Sequence, residues 1–467
     1  MKKNKLQIMA LSLLAAGFLF TSCEKEEIKG SAEVDAVQLE EPPFTNYMVI
    51  ATNGELTKSV EDFLKTSGGE IVSSIPEIGI SIVSSKDANF INNTLKNKNV
   101  ESVVPDYEIA WIPNNVGTEV VDVIEEVTPF SIGDREPFYG YLWGMDAIDA
   151  PEAWNAGFTG AGTTVFVLDS GIDAEHPDLA PNLNTQLSRS FIQNENWNIR
   201  PGVYFNHGSH VAGTIGAAAN SIGVIGVAYE TELVAVKVLS EYSGSGPFSA
   251  INAGIVYAGA NGADVINMSL GATLNKNGKL IDANGEEFKI PAKFIMEIVN
   301  AQQRAVDYAH RQGSTIIASA GNGATNFDGN SAYIKLPAAL NNIISISATA
   351  PEGWNFDPSS NYDVPASYTD HGRSLVDFAA PGGDGDVSVL DMIVSTGSGS
   401  YFFSAGTSMA APHASGVAAL IIGKNGGPMD PKDVESQLVR SADQVDGNGQ
   451  SLFFGKGRVN AYRAVTE

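Results

Sequence analysis

From Asn46 onward, two periods account for the apolar positions of the chain. Residues 79–85, GISIVSS, alternate apolar and polar side chains, the period of a half-buried strand. NYMVI (46–50) and GEIVSSI (69–75) read as further strands. Between those two, SVEDFLKTSG (59–68) sets Val60, Phe63 and Leu64 at helical spacing. DANFINNTLKNK (87–98) brings Ala88, Ile91 and Leu95 onto one helical face, and VESVVPDYEIAWI (100–112) closes as a strand. The order β-α-β-β-α-β predicts a small ferredoxin-like α+β unit over residues 45–112.

Residues 113–135 are acidic and mostly without period, a linker. Beyond them the pattern becomes strand and helix in turn. TTVFVLDS (163–170), ELVAVKVLS (232–240), ADVINMSLG (263–271), STIIASAGN (314–322) and NIISISATA (342–350) are near-continuous apolar runs. Such runs suit strands of a parallel sheet covered on both faces. Helical stretches separate several of them, including 248–262 and 291–313. One large α/β domain over 136–467 is predicted, with a mostly parallel sheet and helices on both faces. Residues 272–291, 351–366 and 382–389 read as surface loops added to that frame.

Composition narrows the class. The 467 residues are 43% hydrophobic and 18% charged, with 48 glycines, which suits a turn-rich globular protein. A net charge of −26 argues against nucleic acid as a partner, because such a binder needs a basic stripe. The N-terminus has a lysine-rich start, an apolar run from Ile8 to Phe20 and then small residues. That is a secretory signal over 1–22, too short for a membrane span of about 20 residues. The only cysteine, Cys23, falls at its end and can form no intramolecular disulfide. FTSC resembles a bacterial lipobox. That implies lipidation of Cys23, an acidic tether over 23–44, and a protein held at a membrane by its lipid or released after processing. An ordinary signal peptide with a leftover cysteine is the other reading.

The chemistry gathers in three places. Asp169 stands directly after the strand VFVL, where ligand groups collect in open α/β sheets. His207 opens the small-residue helix HGSHVAGTIGAAA, which holds two of the six histidines. Ser408 opens GTSMAAPHASGVAAL (406–420), an almost charge-free helix with Pro412 expected in its first turn. Each alone is as well explained by a cap or a packing role. Together they supply what a weak serine nucleophile needs: a base to take its proton and a carboxylate to orient that base. A helix N-terminus adds N–H donors and a positive dipole end for a developing oxyanion.

These three motifs, in the order Asp169, His207, Ser408, resemble those of the subtilisin family of serine proteases. VLDSGIDAEHPDL, HGSHVAGTIGA and GTSMAAPHASGVAAL carry the likeness, with Ser209 where the family usually has Thr. The resemblance covers 136–467 as a catalytic domain and 45–112 as an inhibitory propeptide. It implies a secreted endopeptidase made as a zymogen, with the propeptide as chaperone and inhibitor. Asn322 in ASAGNG then matches the oxyanion-hole asparagine. Gly244, Ser245, Gly246 and Phe248 match one wall of the substrate cleft, and Ser269, Leu270 and Gly271 the other. An extended peptide would lie between them as an added strand. Oxygens of Asp178 and Asn220 and the carbonyls of Ala218, Ile222 and Val224 match a structural Ca2+ loop. The family's glutamine ligand has no clear counterpart. Lys335, before Leu336-Pro337, aligns with the base of the primary specificity pocket. If it points inward, its ammonium needs a partner, and an acidic substrate side chain would serve; the other reading is that Lys335 snorkels outward or that the alignment is off by one residue. In the inward case, Glu125, Glu126 and Asp134 of the linker are candidate self-cleavage positions. The implied partners are protein or peptide substrates, the chain's own propeptide and, through the lipid alone, a membrane, with the protein a monomer. A binding module on the same fold would not need the intact triad, which argues against that alternative.

Overall fold

The computed structural model describes residues 45–112, 133–200, 206–282, 286–354, 357, 359–447 and 449–467. The signal segment, Cys23 and the linker positions Glu125 and Glu126 lie outside the described residues.

The first elements are β1 (Asn46–Ala51), α1 (Lys58–Thr66), β2 (Glu70–Ile75), β3 (Ile80–Ser84), α2 (Phe90–Thr94) and β4 (Val100–Pro105). They form an antiparallel sheet in the order β2-β3-β1-β4. The central β1 is buried on both faces, which is why its sequence is an unbroken apolar run. Tyr47 and Val49 pack with Val60, Leu64 and Phe90 on the sheet's own helices. Met48 and Ile50 point the other way, into a core shared with the large domain.

The strand expected over 100–112 breaks after Pro105. Its second half, β5 (Glu108–Ala110), leaves the small sheet and pairs antiparallel with the large domain. Asp106 marks the break. Its carboxylate accepts from Ser249 N at 3.1 Å and Ser249 Oγ at 2.5 Å, so it caps a helix of the other domain.

The large domain continues with α3 (Trp143–Ala147), α4 (Ala150–Asn155), β6 (Thr164–Asp169), β7 (Arg189–Ser190), α5 (His207–Gly216), β8 (Glu232–Lys237) and β9 (Ser245–Pro247). Then come α6 (Phe248–Ala260), β10 (Val265–Met268), β11 (Ala272–Asn275), β12 (Lys279–Ile281), β13 (Glu287–Lys289), α7 (Ala292–Arg311), β14 (Thr315–Ser319) and β15 (Tyr333–Leu336). The last are β16 (Ile344–Ala350), β17 (Val364–Pro365), β18 (Phe378–Pro381), β19 (Ile393–Thr396), β20 (Tyr401–Ser404), α8 (Thr407–Asn425), α9 (Pro431–Ser441) and α10 (Ala461–Thr466).

The main sheet runs β17-β16-β14-β10-β6-β8-β7, with β18 also on β16. Its pairings are parallel except β16 with β17. Alternate residues of one strand serve opposite faces. Val165 and Val167 of β6 pack with α5 and α8, whereas Phe166 and Leu168 pack with α6 and α7. This is the subtilisin-like α/β arrangement, and the described residues belong to one contact unit.

Residues 272–291 are not simply loop. β11 pairs with β15, and β12 with β13, as a hairpin standing on that pair. Leu274, Leu280 and Ile290 are buried. Strands of three or four residues are too short for a period to show, which explains the difference.

Candidate active site

Asp169 ends β6, where the strand order reverses between β8 on one side and β10 on the other. Both carboxylate oxygens lie 2.9 Å from His207 Nδ1. Oδ1 also accepts from Ser170 N at 2.6 Å. His207 begins α5 and can come this close because Gly208 follows it. A side chain on Gly208 would collide with the Gly171 carbonyl. With Nδ1 donating to Asp169, Nε2 is the nitrogen able to take a proton.

Lys237 lies behind Asp169 and has no counterpart in the sequence reading. It ends β8 opposite Asp169, and its side chain is fully buried. Nζ donates to Ser170 O at 2.5 Å and pairs with Glu195 at 3.0 Å and Glu241 at 3.7 Å. Burial holds its pKa below the ordinary lysine value, against the pull of the two glutamates. Arg200 closes the network on Glu241 at 3.1 Å.

Ser408 is the second residue of α8. Pro412 lies inside the helix rather than in its first turn. It has no N–H to offer the Ser408 carbonyl. Ser269 Oγ makes that bond instead, at 2.8 Å, and Ser408 Oγ donates back to the Ser269 carbonyl at 3.2 Å. Ser269 Oγ accepts from Asn267 Nδ2 at 3.0 Å, and Asn267 Oδ1 from Ser415 Oγ at 2.9 Å.

Asn322 follows β14. Its side-chain oxygen accepts from Thr407 N at 3.0 Å and Thr407 Oγ1 at 2.7 Å, while Gly321 N donates to Thr407 Oγ1 at 3.0 Å. The amide nitrogen is thereby turned to the hollow beside Gly406. A methyl group on Gly406 would sit 3.3 Å from Asn322 Nδ2 and 3.5 Å from Ser408 N. Two donors thus converge on one point at a helix N-terminus, the arrangement an oxyanion needs.

The cleft beside these groups is filled by residues 107–112. Ile109 pairs with Gly246 and Ala110 with Ser245. Trp111 N donates to Gly244 O at 3.2 Å, and Trp111 O accepts from Gly271 N at 3.0 Å. The Trp111 indole donates to Gly246 O at 2.9 Å and meets Phe248 edge-on at 5.0 Å. Leu270 is buried beneath this wall. The segments 244–248 and 269–271 therefore face one another across an extended strand.

Lys335 does point inward, but its partner is in the protein. Nζ lies 3.1 Å from Asp370 Oδ2 and donates to Thr273 Oγ1 at 3.2 Å. Asp370 Oδ1 accepts from Gly323 N at 3.0 Å and Thr325 N at 2.9 Å. The expectation that substrate supplies the counter-ion is corrected accordingly. The ammonium end packs between Gly271 and Gly321. Gly321 has φ +112, and a side chain there would collide with Lys335 Nζ, so glycine is required twice over. The Leu336–Pro337 bond is cis.

The 218–224 loop meets two carboxylates. Asp178 Oδ2 accepts from Val224 N at 3.0 Å and Tyr401 OH at 2.9 Å, while the buried Oδ1 has no hydrogen-bond partner. Glu136, which sequence reasoning missed, accepts from Ser221 N at 2.8 Å and Ile222 N at 3.0 Å. Burial, and to a lesser degree the nearby charge of Asp178, hold its pKa above the usual carboxylate value. Asn220 Oδ1 accepts from Ile222 N at 3.0 Å. Among the described residues, no hydrogen bond reaches the carbonyls of Ala218, Ile222 or Val224. An orphaned carboxylate oxygen, a second carboxylate beside it and free carbonyls fit a hard cation.

A histidine held by a carboxylate, a serine at a helix start and N–H donors beside a hollow are the groups that peptide-bond hydrolysis by a serine nucleophile needs. A cleft that takes a chain in extended form makes the set that of an endopeptidase. Residues 160–457 match the Subtilase family. The chain is 34% identical to thermitase from Thermoactinomyces vulgaris over 334 residues, which span 71% of this chain and 98% of thermitase. It is 35% identical to subtilisin from Bacillus pumilus over 323 residues, 69% of this chain and 98% of that one. Its structure is similar to that of the epidermin leader peptide processing serine protease from Staphylococcus aureus. The TM-score is 0.70 at 20% identity, over 90% of this chain and 98% of that one. The chain belongs to the Subtilase family and is a subtilisin-type serine endopeptidase. Among the described residues, no helix is long and apolar enough to cross a membrane.

Lys335→Met would leave the Asp370 carboxylate buried without a counter-ion, at an expected cost of about 3–5 kcal/mol. Denaturant unfolding in a Ser408→Ala background measures it, and adding Asp370→Asn should restore most of the loss. Equal midpoints for the parent and Lys335→Met would show that this pair does not hold the corner together.

Proposed function

We propose that the chain is a zymogen whose propeptide, residues 45–112, inhibits the enzyme by lying in its cleft as a substrate does. The observation that carries this is the strand 107–112, bonded to Gly244, Gly246 and Gly271. Ser408 is the nucleophile. It gives its proton to His207 Nε2 as its oxygen attacks the scissile carbonyl. Asp169 holds the imidazole and stabilises the imidazolium. Asn322 Nδ2 and Ser408 N–H take the charge on the carbonyl oxygen. His207 then protonates the leaving amine, and water, activated the same way, releases the acyl group. Ser408 must first turn its hydroxyl from Ser269 O, a rotation about one side-chain bond. Lys335, neutralised by Asp370, forms the pocket base and keeps that pocket short.

Asp178, Glu136, Asn220 and the carbonyls of Ala218, Ile222 and Val224 would hold Ca2+, which supplies charge compensation and ties the loop to the segment carrying Glu136. The N-terminal segment directs export, and Cys23 carries a lipid anchor. Cys23→Ala should free the protein from membranes. Wild-type protein that fractionates as soluble, with no lipid mass, would rule the anchor out.

Ser408→Ala, Asp169→Ala and His207→Ala should each abolish release of the propeptide, and a double variant should be scarcely worse than a single one. Asn322→Ala should slow the reaction by about a hundredfold to a thousandfold. Mass spectrometry of the full chain reads the first result. Normal maturation of purified Ser408→Ala protein would refute the assignment.

Calcium at a hundred times its dissociation constant should stabilise the fold by about 2.7 kcal/mol. Asp178→Ala should blunt the effect. Identical melting curves in EDTA and in millimolar calcium would count against the site.

Release of the cleaved propeptide should depend on pH. In the complex, burial is the main cause that pushes the Asp106 carboxyl up to about 6 from an ordinary 3.8, with Ser249 opposing and Glu108 adding a little. The bound form therefore holds the extra proton. Its contribution to binding is full below the free pKa and is lost as pH rises through about 6. The complex should dissociate about a hundredfold more readily at neutral pH than near the free carboxyl's pKa. Asp106→Asn should flatten that difference, as read by size-exclusion of the cleaved complex at the two pH values. An unchanged pH response in the variant would remove Asp106 from this role.

A further inference from the structure

The β12–β13 hairpin reaches past the wall it stands on and touches the strand in the cleft. β11 continues directly from Ser269, Leu270 and Gly271, so the hairpin prolongs the wall that binds peptide backbone. Its position is fixed. Ile290 N donates to Gly278 O at 2.8 Å, and Gly278, at φ +95, lies so close to the Ile290 carbonyl that a side chain would collide with it. Phe288 stands opposite Leu280 in the register, so the two share one face. Leu280 is buried, while Ile281, on the other face, is 62% exposed. The Phe288 ring lies 5.5 Å from the Tyr107 ring, tilted by 38°. Tyr107 belongs to the cleft strand. Its carbonyl accepts from Phe248 N at 3.3 Å, two residues before the Ile109–Gly246 pair.

We propose that the hairpin builds an additional substrate subsite, in which Phe288 receives an aromatic side chain two residues upstream of the one opposite Gly246. Cutting and loss of residues 45–112 would take Tyr107 away from Phe288 and open the cleft beside it. An incoming polypeptide laid along the same walls places its own side chain at that point. Tyr or Phe fits it, since tilted aromatic pairs at this distance gain beyond simple area burial. The contact lies far from the reacting bond, so it acts on binding equally in ground and transition states. It rests on the reading of 107–112 as substrate-like.

The test uses the mature enzyme and peptides copied from residues 105–112 with a short extension beyond. One peptide keeps Tyr at the position of Tyr107 and one carries Ala. Wild-type enzyme should show a KM about threefold to tenfold lower for the Tyr peptide, with kcat unchanged. Phe288→Ala should abolish the difference, and Phe288→Leu should keep part of it. A peptide starting at Ile109 should be cut equally by all three enzymes, which shows that the reacting centre is intact. A Tyr-over-Ala preference that is the same with and without Phe288, or no preference at all, overturns the subsite. Failure of the wild-type enzyme to cut any of the three peptides overturns the substrate-like reading of the strand, and the subsite with it.

Discussion

A helix that starts in the interior has to satisfy its first N–H groups without closing the space in front of them. That constraint governs the site. Thr407 through Ile422 of α8 are all buried, so water cannot serve its N-terminus. Thr407 N is satisfied by Asn322, and Thr407 Oγ1 accepts from Gly321 N. Ser408 N is left facing the hollow beside Gly406, with the Asn322 amide next to it. The group that completes the cap thus also turns its amide nitrogen toward that hollow. Pro412 adds a further demand, because the Ser408 carbonyl loses its helical partner. Ser269 meets it with a hydroxyl that the cleft wall supplies. The helix, the wall and Ser408 are fixed by the same few bonds.

The same economy governs the small domain over residues 45–112. Exposed backbone groups on a cleft wall invite a strand, and 107–112 provides one. Its pairing with β9 needs the chain to leave the small sheet after Pro105, and Asp106 meets that need by capping α6 through Ser249. Meanwhile Met48, Ile50 and Val104 of the small sheet share a core with α6 and α7. Arg304 on α7 donates to Ala51 O at 3.2 Å and pairs with Glu101. Docking of the sheet and insertion of the strand are therefore one event.

What could be read in advance followed from residues that act locally. Near-continuous apolar runs fixed the parallel strands, and Asp169, His207 and Ser408 each sit where a strand ends or a helix begins. What could not be read depended on contacts between distant positions. Lys335 reads as a charge without a partner, because Asp370 comes from a different loop, held there by Gly323 and Thr325 backbone N–H groups. Glu136 lies in no motif and reaches the 218–224 loop only when the chain folds back. Pro412 marks a break in hydrogen bonding, but the sequence does not name Ser269 as the replacement. The strand drawn over 100–112 failed at Asp106 because its second half has its partners in another domain. The short strands 272–289 carried too few residues for any period to emerge.

The two buried lysines show how charge is managed around the site. The chain as a whole has a net charge of −26, yet the ammonium groups nearest the reacting residues are buried and each is paired. Unpaired, either would cost several kcal/mol of desolvation and would distort the field in which the proton moves. Lys237 keeps Glu195 and Glu241 from adding bare negative charge beside Asp169, and its contact with Ser170 O steadies the turn that follows that carboxylate. Lys335 and Asp370 do the corresponding thing between Gly271 and Gly321, as a buried and mutually compensated pair. In the pocket-base role proposed for Lys335, such a neutral, shortened pocket would discriminate weakly by charge. Selection would then come from elsewhere along the strand, where the hairpin extends the wall and Phe288 meets an aromatic ring.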